Sequence, residues 1–170
     1  MNIMKRALRR IGLERYGRRG KNTTVIKPMR IIGKNHIFLG DNVTILNNAR
    51  METCSDCAKL VIGSGTSIEQ ECHLIAADDL EIGEDCVISA WVYISDCNHI
   101  YNKKKPIMKS GLEIKHTVIG SHVFIGIGAK IMPGVSIGDY AVIGANSVVT
   151  KDIPSYQIWG GVSRKVHFYE

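Results

Sequence analysis

Aliphatic side chains return every six residues over the stretch 119–154: Ile119, Ile125, Ile131, Ile137, Ile143 and Val149, with no slip. Gly follows the aliphatic at 120, 126, 138 and 144. Four places after each aliphatic comes a mostly small or β-branched residue: Val123, Ala129, Val135, Ala141, Ser147 and Ile153. The same phase recurs at Ile82, Ile88 and Ile94, and at Ile62, Ile68 and Leu74, where Cys86 and Cys72 take the small position. A weaker set begins at Leu39, Ile45 and Met51. A helix repeats every 3.6 residues and a simple strand every 2, so neither explains a period of six. Short strands joined by tight turns do. Gly at the turn tolerates both a positive φ and close backbone approach. Stacking such coils sets each aliphatic over its predecessor and builds one continuous core.

Composition agrees with a packed domain of this kind. The chain has 170 residues, 45% of them hydrophobic, but only 3 Phe, 6 Tyr and 2 Trp, so aliphatic side chains must fill the core. That balance excludes disordered and fibrous classes. No apolar run approaches the roughly 18 residues of a membrane span, and no apolar stretch of a secretory signal follows Lys5. The expected location is the cytoplasm. Five cysteines, an odd number, then read as free thiols. Cys54 and Cys57 form a CxxC, but no second ligand pair follows and no βαβ context surrounds it, so they read as ordinary loop thiols.

The net charge of +6 is concentrated at one end. Residues 1–21 carry eight basic side chains and Glu14 alone, whereas the remaining 149 carry 14 basic and 15 acidic. The domain itself is therefore not a basic nucleic-acid binder. Within the tail, Ile3, Met4, Ala7, Leu8 and Ile11 recur at helical spacing between arginines, the pattern of a short basic amphipathic helix. It suits either peripheral contact with an anionic membrane or a cap on the open end of the core. The expected organisation is a basic N-terminal segment, 1–21, and a repeat domain, 22–170.

The stretches from Ile119 to Gly126 and from Gly134 to Pro154 resemble the C-terminal signature of the hexapeptide-repeat acyltransferases, in particular the branch that O-acetylates sugars and polysaccharides. The resemblance covers about residues 25–165. It implies an all-β left-handed parallel β-helix, three hexapeptides to a triangular coil. The left hand comes from the family, since parallel crossovers are otherwise right-handed in about 98% of cases. The expected fold adds a short N-terminal helix and one projecting loop at about 99–116.

The repeat breaks in three places. A two-residue bulge falls near Asp78 and Asp79, a loop holding the CxxC separates Met51 from Ile62, and a long loop separates Ile94 from Ile119. Insertions in repeat folds emerge on one face, often the binding face. The long loop opens with Asp96-Cys97-Asn98-His99, similar to the family motif that carries a general base. His99 is thus the expected base, its ordinary pKa lying near working pH, with Asp96 or Asn98 orienting its ring. His36, His73, His116 and His122 read as solvent-facing. The spacing of His116 and His122 is six rather than the five of a three-histidine zinc site, so no metal is expected.

The resemblance further implies acetyl-CoA as donor, held by backbone groups at Ile127, Ala145, Thr150 and Lys151, with Lys165 near the CoA phosphates. Glu69 and Glu71 stand about where related sugar acetyltransferases carry an acceptor-binding Asn. Together with Trp91, and less directly Tyr93, they are the acceptor-side candidates. The expected activity is acetyl transfer from acetyl-CoA to a hydroxyl of a sugar or glycan, in a homotrimer with active sites between subunits. Two other classes share the scaffold: an N-acetyltransferase of an amino sugar or amino acid, and a non-catalytic β-helix.

Overall fold

In the computed structural model each hexapeptide is a short strand followed by a corner, and successive turns stack into three parallel sheets. The structure describes residues 15–102 and 104–162, and the backbone of 164–168. The first sheet stacks Arg18–Arg19, Ile37–Leu39, Lys59–Ile62, Asp79–Ile82, Thr117–Ile119 and Ser136–Ile137. The second stacks Thr24–Val25, Thr44–Ile45, Ser67–Ile68, Val87–Ile88, Phe124–Ile125, Val142–Ile143 and Gln157–Gly160. The third stacks Arg30–Ile32, Arg50–Thr53, His73–Ala76, Tyr93–Ser95, Lys130–Ile131 and Val148–Val149. This is the expected all-β prism of hexapeptides, consistent with the left-handed β-helix. The N-terminal helix falls in residues 1–14, outside the described residues. The strand Arg18–Arg19 lies within the segment 1–21 yet pairs with Phe38 and Leu39, so the first sheet begins before residue 22.

The six-residue period has a direct physical cause. Ile45, Ile68, Ile88, Ile125 and Ile143 lie in register down the second sheet, and all are fully buried. Met51, Leu74, Ile94, Ile131 and Val149 do the same in the third. Each such side chain contributes about 1.5–3 kcal/mol relative to exposure. The Gly after the aliphatic serves close approach rather than φ: a Cβ on Gly83 would stand 2.6 Å from the carbonyl of Gly120 on the next rung. The positive φ falls two places later, at Asp85 (51°), His122 (59°) and Tyr140 (59°). Asn and Asp tolerate that conformation best among non-Gly residues. Rings enter the same column, where His122, Tyr140 and Tyr156 stack face to face at 4.5 and 5.0 Å.

Cys72 and Cys86 occupy the small inward position as expected. Their sulfurs lie 3.1 Å from the carbonyls of Ser89 and Gly120, and burial pushes both thiols up, Cys72 to about 11. Arg164–Phe168 pairs antiparallel with Gln157–Gly160 and covers the last edge of the second sheet. An open edge of unpaired amides would otherwise face solvent there.

The breaks sit at one corner, between the third and first sheets. The bulge at 77–78 is held from the next turn. The Asp96 carboxylate accepts the Ala77 amide at 2.7 Å and the Asp78 amide at 2.8 Å. Asp96 is itself fully buried. One rung further the chain leaves the prism as an antiparallel arm, Cys97–His99 against Leu112–Ile114, with a 3-10 turn at Ile107–Lys109 near its tip.

Two substitutions test this account. Ile88→Ala should lower unfolding free energy in urea by about 2–5 kcal/mol, while Val87→Ala, on the exposed face one residue earlier, should change it by less than about 1 kcal/mol. Asp96→Ala leaves two amides without their acceptor. It should cost about 1–3 kcal/mol for each and speed hydrogen exchange at Ala77 and Asp78.

Candidate functional site

His99 ends the inner strand of the arm, opposite Leu112. Cys97 is buried at the root of the arm, and Asn98 and His99 beyond it are exposed. Strand alternation sets Cys97 and His99 on the same face, and both line one cleft. Two hollows meet at this histidine. One lies along the arm, lined by Asn98, His99, Ile100, Tyr101 and Glu113. The other is a cleft of about 280 Å³ between the arm and the outer face of the third sheet, where His99 meets Arg50, Glu52, Cys54, Tyr93 and Cys97.

Asp96 requires a correction. Its carboxylate holds backbone amides at the 77–78 bulge, so it anchors the base of the arm rather than orienting the imidazole. Its own carbonyl accepts the Lys115 amide at 2.7 Å, tying the returning strand to the same point. The general-base candidate thus stands on a fixed pedestal, a useful property where position governs rate.

The cleft wall is polar and charged. Arg50 Nη2 lies 2.9 Å from Glu52 Oε2, and Arg30 Nε lies 3.4 Å from Oε1. Glu52 is only 7% exposed. His73 approaches it at 3.9 Å and meets the Tyr93 ring edge-on at 5.5 Å. His73 is therefore half-buried, not solvent-facing as its place in the repeat predicts. Burial and then the Arg50 charge hold its imidazole below the usual range.

The CxxC also differs from expectation. Cys54 and Cys57 are both exposed free thiols, and Cys54 also lines the cleft beside Cys97, to which it hydrogen-bonds. That bond, with a further contribution from Ser95, holds the Cys97 thiol down at about 7, against the opposing effect of burial. The same contact and burial push Cys54 up. Among the described residues no group of three or more His, Cys, Asp or Glu is arranged to hold a metal ion.

The donor and acceptor candidates lie on two edges of the prism. Glu71 and Trp91 share the edge between the second and third sheets with Ile127 and Ala145. Amide-to-carbonyl bonds link the turns there: Trp91 to Gln70 at 3.1 Å, Gly128 to Ala90 at 2.9 Å, Asn146 to Ile127 at 2.8 Å. Trp91 is 55% exposed, and its indole N–H donates to Glu71 at 2.9 Å. Glu69 accepts the Ala90 amide at 3.1 Å. Glu69, Glu71 and Trp91 do not line the cleft at His99. Thr150 and Lys151 follow Val148–Val149 on the edge that carries the arm. Lys165 lies in the final strand opposite Trp159, its side chain outside the described residues.

Sequence reasoning missed Arg50, Glu52, Cys54 and Cys97 as neighbours of His99. Arg50, His73 and Tyr93 are register partners on successive rungs. Counting along outer-face positions could have found them, but the insertions after Met51 and Leu74 break a plain count of six.

The comparisons with known proteins fit this geometry. A family model described as bacterial transferase hexapeptide (six repeats) matches residues 116–151. A putative lipopolysaccharide biosynthesis O-acetyl transferase, WbbJ of Escherichia coli K12, is 29% identical over 155 residues, covering 86% of this chain and 79% of that protein. A chloramphenicol acetyltransferase of Morganella morganii is 39% identical over 114 residues, covering 65% of this chain and 51% of the relative. The chain thus spans about half the length of that relative. Among solved structures, a galactoside acetyltransferase in complex with coenzyme A is 27% identical, with a TM-score of 0.64 over 89% of this chain and 64% of the other. In its repeat, its three-sheeted prism and these likenesses, the chain is similar to the hexapeptide-repeat acyltransferases, and residues 116–151 carry the bacterial transferase hexapeptide repeat.

Proposed function

We propose that this protein transfers acetyl from acetyl-CoA to a hydroxyl of a sugar or glycan intermediate, with His99 as general base. The observation that carries the reading is an exposed histidine, fixed on an arm tied down by Asp96, at the junction of two hollows. A lipopolysaccharide O-acetyl transferase and a galactoside acetyltransferase among its relatives support a sugar acceptor. The coenzyme A held by the latter supports the donor.

The chemistry is direct. The neutral imidazole of His99 takes the proton of the acceptor hydroxyl as its oxygen attacks the thioester carbonyl. A backbone N–H stabilises the oxyanion that develops. As the carbon–sulfur bond breaks, the imidazolium returns the proton to the departing thiolate, so CoA leaves as a thiol. Asn98 is the neighbouring polar side chain available to steady the ring. On the donor side, backbone groups at Ile127, Ala145, Thr150 and Lys151 line the CoA path, and Lys165 meets its phosphates.

The two-edge arrangement favours an assembly. The line through Ile127 and Ala145 is one sheet-width away from the His99 edge. In a homotrimer, the donor edge of one subunit faces the arm of the next. Acetyl-CoA and the free thiols suit a cytoplasmic enzyme. Among the described residues no helix is long and apolar enough to cross a membrane. The basic stretch 1–21 is then suited to peripheral contact with the anionic inner face, where a lipid-linked glycan would be met.

The decisive experiment is thiol release from acetyl-CoA with a panel of pyranosides, glycans, amino sugars and chloramphenicol. Sugar hydroxyls should support turnover; acetylation confined to amines or chloramphenicol would overturn the reading. His99→Ala should lower kcat by ~10²–10⁴ while melting temperature and acetyl-CoA binding stay unchanged. A variant keeping half of wild-type turnover would remove His99 from the mechanism. Ala145→Trp should abolish acetyl-CoA binding in calorimetry at unchanged melting temperature. Unchanged affinity would take the donor off this edge.

A further inference from the structure

We propose that the tip of the arm, within residues 100–111, docks on an anionic lipid surface, with Ile107 and Met108 entering the interface and Lys104, Lys105 and Lys109 meeting the headgroups. The contact is separate from the basic stretch 1–21. It goes beyond the acetyl-transfer reading and does not depend on it.

Three observations converge on the tip. First, its apolar side chains face outward. Met108 is 82% exposed and Tyr101 75%, and Ile107 is exposed with them. A loop needs none of these to fold, and large apolar side chains gathered at a projecting point mark an interaction site. Second, the charge among them has one sign. Lys104, Lys105 and Lys109 are exposed, and residues 100–111 hold no Asp or Glu. Glu113, just below the tip, is taken by Lys115 at 3.1 Å. Third, the tip closes its own backbone bonds. The Ile100 amide donates to the Gly111 carbonyl at 3.1 Å, Lys109 to Pro106 at 2.9 Å and Ser110 to Ile107 at 3.0 Å. The Lys104 amide donates to the Asn102 side chain at 2.8 Å. Backbone groups that approach hydrocarbon need such internal partners.

The direction of the arm agrees. It follows Tyr93–Ser95, yet the cleft beneath it is lined by Arg50, Glu52 and Cys54, two rungs earlier in the third sheet. The arm thus leans toward the end of the prism where the chain enters. That end carries Arg15, Arg19 and Lys34 around one hollow. In the homotrimer proposed above, with its prisms side by side, three tips and three basic ends face the same way, as a planar partner requires.

The residue types separate a bilayer from other polyanions. A nucleic acid would engage the lysines through its phosphates and leave Ile107 and Met108 unused. An anionic bilayer uses both sets: the apolar side chains enter, and the lysine stems lie along the boundary with their ammonium groups at the headgroups. His99 directly precedes the tip, so docking holds it close to the lipid surface.

The test sediments the full chain with vesicles of phosphatidylglycerol and phosphatidylcholine, and with phosphatidylcholine alone. The wild type should bind the anionic vesicles, less as salt rises. Lys104→Gln/Lys105→Gln/Lys109→Gln should weaken binding about 100-fold, at about five-fold for each lysine near the surface. Ile107→Ser/Met108→Ser should weaken it about ten-fold or more. Both variants should keep wild-type turnover on a soluble acceptor. A wild type that ignores anionic vesicles would overturn the proposal. Tip variants that bind as the wild type does would leave lipid contact to the stretch 1–21 and overturn it equally. Loss in the lysine variant alone would make the tip a general polyanion contact, and dissociation of the assembly by Ile107→Ser/Met108→Ser would assign it to a subunit interface; either result overturns the proposal. Vesicle binding is read without acetyl transfer, so failure of the acetylation assay leaves this result standing.

Discussion

Register between rungs is the constraint on which the rest of this structure depends. Each aliphatic must land on the one below, and each corner must pass within van der Waals contact of its neighbour. The Gly83–Gly120 approach leaves no room for a Cβ, let alone an extra residue. A chain under that constraint can lengthen only by leaving the prism altogether. It does so at one edge, first as the turn holding Cys54, then as the bulge at 77–78, then as the His99 arm. The candidate base and the cleft beside it lie there because that edge absorbs irregular chain without disturbing the stack.

The arm shows how such an excursion is kept rigid. Free hairpins are marginal in water. Here a buried carboxylate, Asp96, fastens the corner to the turn before it through two short bonds, and its carbonyl catches the returning strand. The same residue that the motif suggests as an imidazole partner acts one step earlier, on the backbone that carries the imidazole.

The prism was readable in the sequence because its cause is local and periodic: Ile119 through Val149 never slip, and Cys72 and Cys86 fit the small position without any chemistry. The use of Gly was read less completely, since close approach and positive φ fall on different residues, Gly83 and Asp85 for example. The exposed position of His99 at the start of the arm was legible from its place at the largest break. Its neighbours were not. Arg50, Glu52 and Cys54 precede it by more than forty residues and reach it only through register across two insertions, which a count along the chain does not follow. The Cys54–Cys97 contact was hidden for the same reason, since the CxxC read locally gave only two ordinary loop thiols.

Lateral stacking also makes distance along the prism a whole number. Rungs of a parallel sheet are about 4.8 Å apart. Ile94, at the root of the arm, pairs with Ile131, which pairs with Val149 beside Thr150 and Lys151. The arm and that corner are thus two rungs apart, about 10 Å. Duplicating or deleting one coil between them would change the spacing by a full rung and by no smaller amount. Reach between the two ends of this site is therefore tuned in steps. Only side chains, such as those on the third sheet's outer face, are left to make the fine adjustment.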